Sequence, residues 1–171
     1  MPFYAGIGAR ATPNDILVMM ADAGRQLCEI GLTLRSGAAA GADAAFERGC
    51  DITDPRNKEI FLPWKGFNDH PSQYFTPTQE ALRLSENYHP GWTRLSDGSR
   101  LLMARNAHQL LGPTLNDPAL FVACWTPEGK AGGGTGQAIR IAKDAGIPVF
   151  DLGAMSPDDF AGGIGEILSK L

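Results

Sequence analysis

"PEGKAGGGTGQAIRIAKDAGIPVF", residues 127–150, begins two residues after an apolar run, "ALFVACW" (119–125). Three consecutive glycines run into Thr135, Gly136 and Gln137, and a helical pattern starts at once. That much glycine marks backbone that must approach something closely or adopt φ > 0. The pattern predicts a strand over 119–125, a glycine turn, a helix over 136–145 ended by Gly146, and a further strand in "IPVFDL".

The same unit recurs toward the N-terminus. "FYAGIG" is a short apolar run ending in glycine, and Thr12-Pro13-Asn14-Asp15 then opens a helix with Thr12 as N-cap and Pro13 at N1. That helix runs to Gly31; "LTLRS" (32–36) is a second strand, followed by the turn and helix of "GAAAGADAAFERG". "KEIFLPW" (58–64) is a third strand, and helices are expected over 78–88 and 97–111, with Ser156 and Pro157 opening a last one. Strands alternating with helices make an α/β fold: a Rossmann-like three-layer α/β/α arrangement with a mainly parallel sheet of about five or more strands. The whole chain, 1–171, reads as one domain. Residues 65–95 are atypical: "KGFNDHPSQYFTP" is too long for an ordinary connection and reads as a loop packed over the domain.

Composition narrows the function. The 171 residues are 43% hydrophobic and carry a net charge of -4, so no overall basic field draws the chain to nucleic acid. Cys28, Cys50 and Cys124 are odd in number, without a CxxC, and read as buried free thiols in a reducing compartment. "MPFYAGIGAR" has no basic n-region or long apolar run, so no signal peptide is expected, and no run reaches the ~18 apolar residues of a membrane helix. A cytoplasmic protein is expected. His70 and His89 have no partners at metal spacing, so neither metal nor cofactor is expected, and His108, one turn after Arg105, is expected to face a binding site or water.

Three predicted strands end in glycine turns leading to helices: Gly6-Ile7-Gly8, Ser36-Gly37 through Gly41, and Gly132 through Gly136. In a parallel sheet these share one edge, where helix N-termini offer unpaired N–H groups suited to phosphate. Arg10, Arg35 and Thr135 stand beside them. "GIGARA" (6–11) matches GxGxxA, yet Arg35 and Ser36 occupy the strand end where a nicotinamide dinucleotide site needs an acid. No P-loop motif occurs, because Lys130 precedes the glycines. Trp125, at the end of the fourth predicted strand, is a candidate base-stacking ring; Trp64 and Tyr74 raise the same question.

"YAGIGAR", "RSGAAAGADAAFERG" and "GGGTGQAIRIA" together resemble the SLOG superfamily, which joins the Rossmann-like domain of DNA-processing protein A (DprA) to the LOG nucleosidases. "LLMARNAHQLLG", "FVACWTPEGKAGGGTGQAIRIA" and "IPVFDL" are similar to small stand-alone DprA-like proteins common in bacteriophage genomes. The resemblance covers nearly the whole chain. It implies a ligand- and phosphate-binding site made of Gly6, Gly8, Arg10, Ser36, Gly37, Asp43, Arg105, Asn106, Gly132, Gly133, Gly134, Thr135, Gly136 and Gln137, with Met103 beside Arg105. Asp43 would contact ribose or base, or else order its turn and helix start, and Asn106 would contact ribose or base. Arg100 is a lesser candidate, since five residues on a helix set it about 140° away from Arg105. LOG enzymes carry PGGxGTxxE, whose glutamate works on the ribose beside the N-glycosidic bond. Here that position is Ala138, or Arg140 if Gly136-Gln137 is the matching pair. Asp43 and Glu128 are the carboxylates that could substitute.

Three functions follow as expectations. The first is non-catalytic binding of a phosphorylated nucleotide-derived small molecule, such as an ADP-ribose-like signal, in a bacterial cytosol if phage-encoded. The second is DprA-like binding of single-stranded DNA, and the third is nucleotide N-glycosidic hydrolysis. Homodimers or larger homo-oligomers are expected because the family commonly dimerises.

Overall fold

A computed structural model describes residues 2–171. Its six strands are β1 (Phe3–Gly6), β2 (Thr33–Ser36), β3 (Lys58–Leu62), β4 (Tyr74–Phe75), β5 (Val122–Cys124) and β6 (Val149–Asp151). They form one sheet in the order β4-β3-β2-β1-β5-β6, with every pairing parallel. Six helices connect them: α1 (Asn14–Glu29), α2 (Ala42–Thr53), α3 (Gln79–Glu86), α4 (Asp97–Leu111), α5 (Gly133–Asp144) and α6 (Pro157–Leu168). The strand order reverses direction at β1, so the carboxyl ends of β1 and its neighbours β2 and β5 flank a crevice, the usual ligand position in open α/β sheets.

Strand alternation sorts side chains into two apolar layers. Tyr4, Leu34, Ile60, Leu62 and Ala123 face α1, α2 and α6, whereas Ala5, Val122 and Cys124 face α3, α4 and α5. The expected three-layer architecture is therefore present. In the first layer α1 and α2 cross with their backbones in contact. A Cβ on Gly49 would lie 1.9 Å from the Ala21 carbonyl oxygen, and one on Gly24 2.5 Å from that of Phe46. Cys28, Cys50 and Cys124 are free and buried, with the Cys28 and Cys50 sulfurs 3.5 Å apart beneath this crossing.

Arg35 departs from its expected place beside a ligand. It faces the α4 layer in the row Glu59–Arg35–Ala5–Val122 that crosses the sheet. Its guanidinium is fully buried, bonds Glu59 and Asp117 at 2.7 Å each, and lies 3.6 Å from the Phe3 ring centroid. Strand parity, which a glycine turn two residues away does not reveal, sends it to the packing face.

The middle of the chain was the least legible. A two-residue edge strand, β4, lies inside the segment expected to be a packed loop. It makes the run at 119–125 the fifth strand, not the fourth. Helix α1 starts one residue later than expected, with Pro13 at the cap and Thr12 Oγ1 donating to the Ala9 carbonyl instead of capping. Helix α5 starts three residues earlier, taking in Gly133, Gly134 and Thr135. Ser96 and Ser156 cap α4 and α6 through their side chains. Among the described residues no helix is long and apolar enough to cross a membrane.

Because Gly49 meets backbone and not a yielding side chain, Gly49→Ala should destabilise the protein by about 1–3 kcal/mol or more, read from denaturant unfolding. An unchanged midpoint would show that α1 and α2 can separate freely.

Candidate functional site

Five pieces of chain close around a cavity of about 420 Å3 at the carboxyl edge of the sheet: the turn after β1, the turn after β2 with the start of α2, the segment at 67–68, α4, and the start of α5. Nine of the expected residues line it: Gly8, Arg10, Asp43, Arg105, Asn106, Gly132, Gly133, Gly134 and Thr135. Met103 lines it as well.

The glycines divide into two groups. In the first two turns they let protein pack on protein. A Cβ on Gly6 would sit 2.6 Å from the Phe46 ring, one on Gly37 2.3 Å from Arg105 Nη1, and one on Gly41 2.8 Å from the Ala9 carbonyl. Gly136 likewise abuts the Ala131 carbonyl. Gly132 and Gly133 differ. A Cβ on Gly133 would meet nothing within 4 Å, and the nearest atom to one on Gly132 is 3.8 Å away. They face open space at the first turn of α5, whose leading amides have no intrahelical carbonyl to bond. The backbone at 132–133 is thus free for close approach by a ligand.

Asp43, in the first turn of α2, ties the first two turns together. It is buried, and the amides of Ala39, Gly37 and Gly8 approach its carboxylate, with Ala39 N at 3.3 Å from Oδ2. Burial raises its pKa to about 6, against the opposing pull of Arg105 and these three amides. Arg105 is 7% exposed and donates from Nη1 to the Gly37 carbonyl, while its Nε has no partner. Burial holds its pKa below the usual arginine range, with Asp43 pulling it up and Arg10 pushing it down. Asn106 Nδ2 bridges to the Gly134 carbonyl at 3.1 Å and to Gln137 Oε1 at 3.2 Å, fixing α4 against α5.

The remaining expected residues support this arrangement from outside the cavity. Ser36 donates to the Gly6 carbonyl at 2.6 Å and Gln137 is fully buried behind Asn106. Gly6, Gly37 and Gly136 are packing positions, as above. Trp125 packs onto the core of the α1/α2/α6 layer and lines no part of the cavity. Arg100 turns away to the Trp92 and Thr93 carbonyls. His108, expected at the site or in water, is buried: its ring stacks on Phe61 and receives the Thr78 amide at Nε2. Glu128 is exposed and paired with Lys130 at 2.6 Å. No group of three or more potential metal ligands occurs among the described residues.

The expected set lacked Leu102, Gln109, Phe67 and Asn68, which also line the cavity. Leu102, Arg105, Asn106 and Gln109 share one helical face, so the 3.6-residue period alone would have added Leu102 and Gln109 to Arg105. Phe67 and Asn68 reach the site only because the 64–75 strap folds across it, with Asn68 Nδ2 donating to the Ala38 carbonyl at 2.9 Å.

Asp43 has a pH signature. Its folded pKa lies above its ordinary value of 3.8, so the contribution to stability is fully present below pH ~4 and is lost as pH rises through about 6. The stability of the wild type relative to Asp43→Asn should therefore fall across that window, by up to about 3 kcal/mol at ~1.4 kcal/mol per unit. Paired melts from pH 4 to 7.5 measure it, and parallel curves would contradict the buried acid.

No protein-family model and no curated protein sequence matches the chain. Among solved structures, DNA processing protein A from Helicobacter pylori, described for its single-stranded DNA binding mode, has a similar fold. The TM-score is 0.52 at 15% identity, over 88% of this chain and 64% of that one. This chain thus spans just under two thirds of its neighbour, and the likeness is one of fold.

Proposed function

We propose that this protein binds single-stranded DNA, holding one backbone phosphate in the glycine-turn cavity. The observation that carries the reading is the meeting, in one cavity, of the open glycine start of α5, the exposed Arg10 and the unpartnered Nε of buried Arg105. A buried N–H without an acceptor is costly, and a phosphate oxygen is the acceptor such a place suits. The similar fold of DNA processing protein A favours a DNA strand over a free nucleotide. Sequence reasoning had ranked these the other way, because a net charge of -4 offers a polymer no extended basic track. That charge still shapes the binding: contacts are few and local.

A free phosphorylated nucleotide would use the same cradle, and the cavity volume suits one. The N-glycosidase reading gains nothing, since backbone amides surround the Asp43 carboxylate and Glu128 lies in a surface ion pair.

Anisotropy titration of a labelled oligothymidylate over a salt series tests the proposal. With one phosphate neutralised by Arg10 and Arg105 at the cavity, log K should fall against log[salt] with a slope of roughly -0.7, and Arg10→Ala should weaken binding and flatten the slope. Melting shifts with AMP, ADP-ribose or cyclic ADP-ribose, but none with the oligonucleotide, would return the site to a small molecule.

A further inference from the structure

The strap that closes the cavity carries more aromatic surface than closure needs. Trp64, Tyr74 and Phe75 are 40%, 43% and 37% exposed, a concentration of large apolar side chains in water within twelve residues. Tyr74 leans on Phe61, beside buried His108 on the α4 side. Trp64 belongs to the cavity rim. Its ring meets Phe67, a cavity-lining residue, at 5.2 Å and 88°, and it lies 3.9 Å from where a Cβ on Gly98, at the start of α4, would be. Lys65 follows it, with Nζ 5.8 Å from the centroid of the Phe75 ring.

These rings are held out by a strap that is itself pinned. Ser72 Oγ donates to the Ile60 carbonyl, Asn68 to that of Ala38, and His70 Nε2 lies 2.8 Å from Glu47 Oε1. Asn68, Asp69 and Thr76 adopt positive φ, between 51° and 62°. Such backbone is disfavoured for residues other than glycine and persists where tertiary bonds impose it. The strap therefore presents Trp64 in a fixed position and spares a ligand the cost of ordering it.

We infer that Trp64 is a base-stacking shelf for the nucleotide adjoining the one whose phosphate the cavity holds, with Lys65 serving the next phosphate. This rests on the single-stranded DNA reading above and adds the ring that takes the base. An indole against the cavity-lining Phe67, followed in the chain by an exposed lysine, suits the alternation of base and phosphate along a single strand. Trp125, the ring the sequence favoured for this role, packs half-buried against the α1/α2/α6 core instead.

The test compares an oligothymidylate with an abasic oligomer of equal length on wild type, Trp64→Ala, Trp64→Phe and Arg10→Ala, reading affinity and tryptophan emission. Wild type should prefer the thymidylate and lose emission on binding it. Trp64→Ala should bind thymidylate about 5- to 150-fold more weakly, leave abasic affinity unchanged and abolish the quench, whereas Trp64→Phe retains most of the affinity. If Trp64→Ala binds thymidylate like wild type while Arg10→Ala fails, the shelf is refuted and the phosphate cradle stands. Equal loss of both oligomers in Trp64→Ala would also overturn stacking, since the ring would then be shaping the cavity. Wild type binding neither oligomer would overturn the cradle and the shelf together.

Discussion

The carboxyl edge of the sheet, with its cavity, is organised around a buried carboxylate. Asp43 stands in the first turn of α2 and draws toward itself amides from the turn after β1 and the turn after β2, which local sequence alone would leave independent. Arg105 reaches across from α4, anchors on the Gly37 carbonyl and supplies the opposite charge. Turns rich in glycine are cheap to deform, so their joint shape depends on something rigid between them. The start of an α-helix, with its own partial positive charge, is a suitable place for that acid.

From this junction the rest of the cavity follows. Asn106 ties α4 to α5 through the Gly134 carbonyl and Gln137, so the third glycine turn is set in register with the other two. The strap then lies over the opening through Asn68 and Phe67. Most of these links join backbone from one element to a side chain from another, and they set polar groups among the apolar side chains that line the cavity. At the start of α5 the backbone of Gly132 and Gly133 faces open space.

Much of the architecture was readable because the relevant signals are local. Glycine after an apolar run, proline or serine at a helix start, and a 3.6-residue pattern all act within a few residues. They located five of six strands, placed α4 to the residue and gave the start of α6. The missed strand, β4, is two residues long and gains its pairing only from β3. The α5 boundary moved because glycine is a weak helix former whose state is set by what packs around it.

The site was legible in part for the same reason. Sequence determined that three glycine turns share the carboxyl edge of a parallel sheet, with Arg10, Asp43, Arg105, Asn106 and Thr135 close to them. Only tertiary structure decided which glycines face open space and which face protein, since both uses look alike in one dimension. It also decided the fates of the long side chains. Arg35 went to a buried ion pair because its strand parity points it at α4, Trp125 went to the core, and Trp64 came to the rim because the strap folds back over the cavity. A side chain's environment depends on partners far along the chain, and that is information the spacing of residues does not carry.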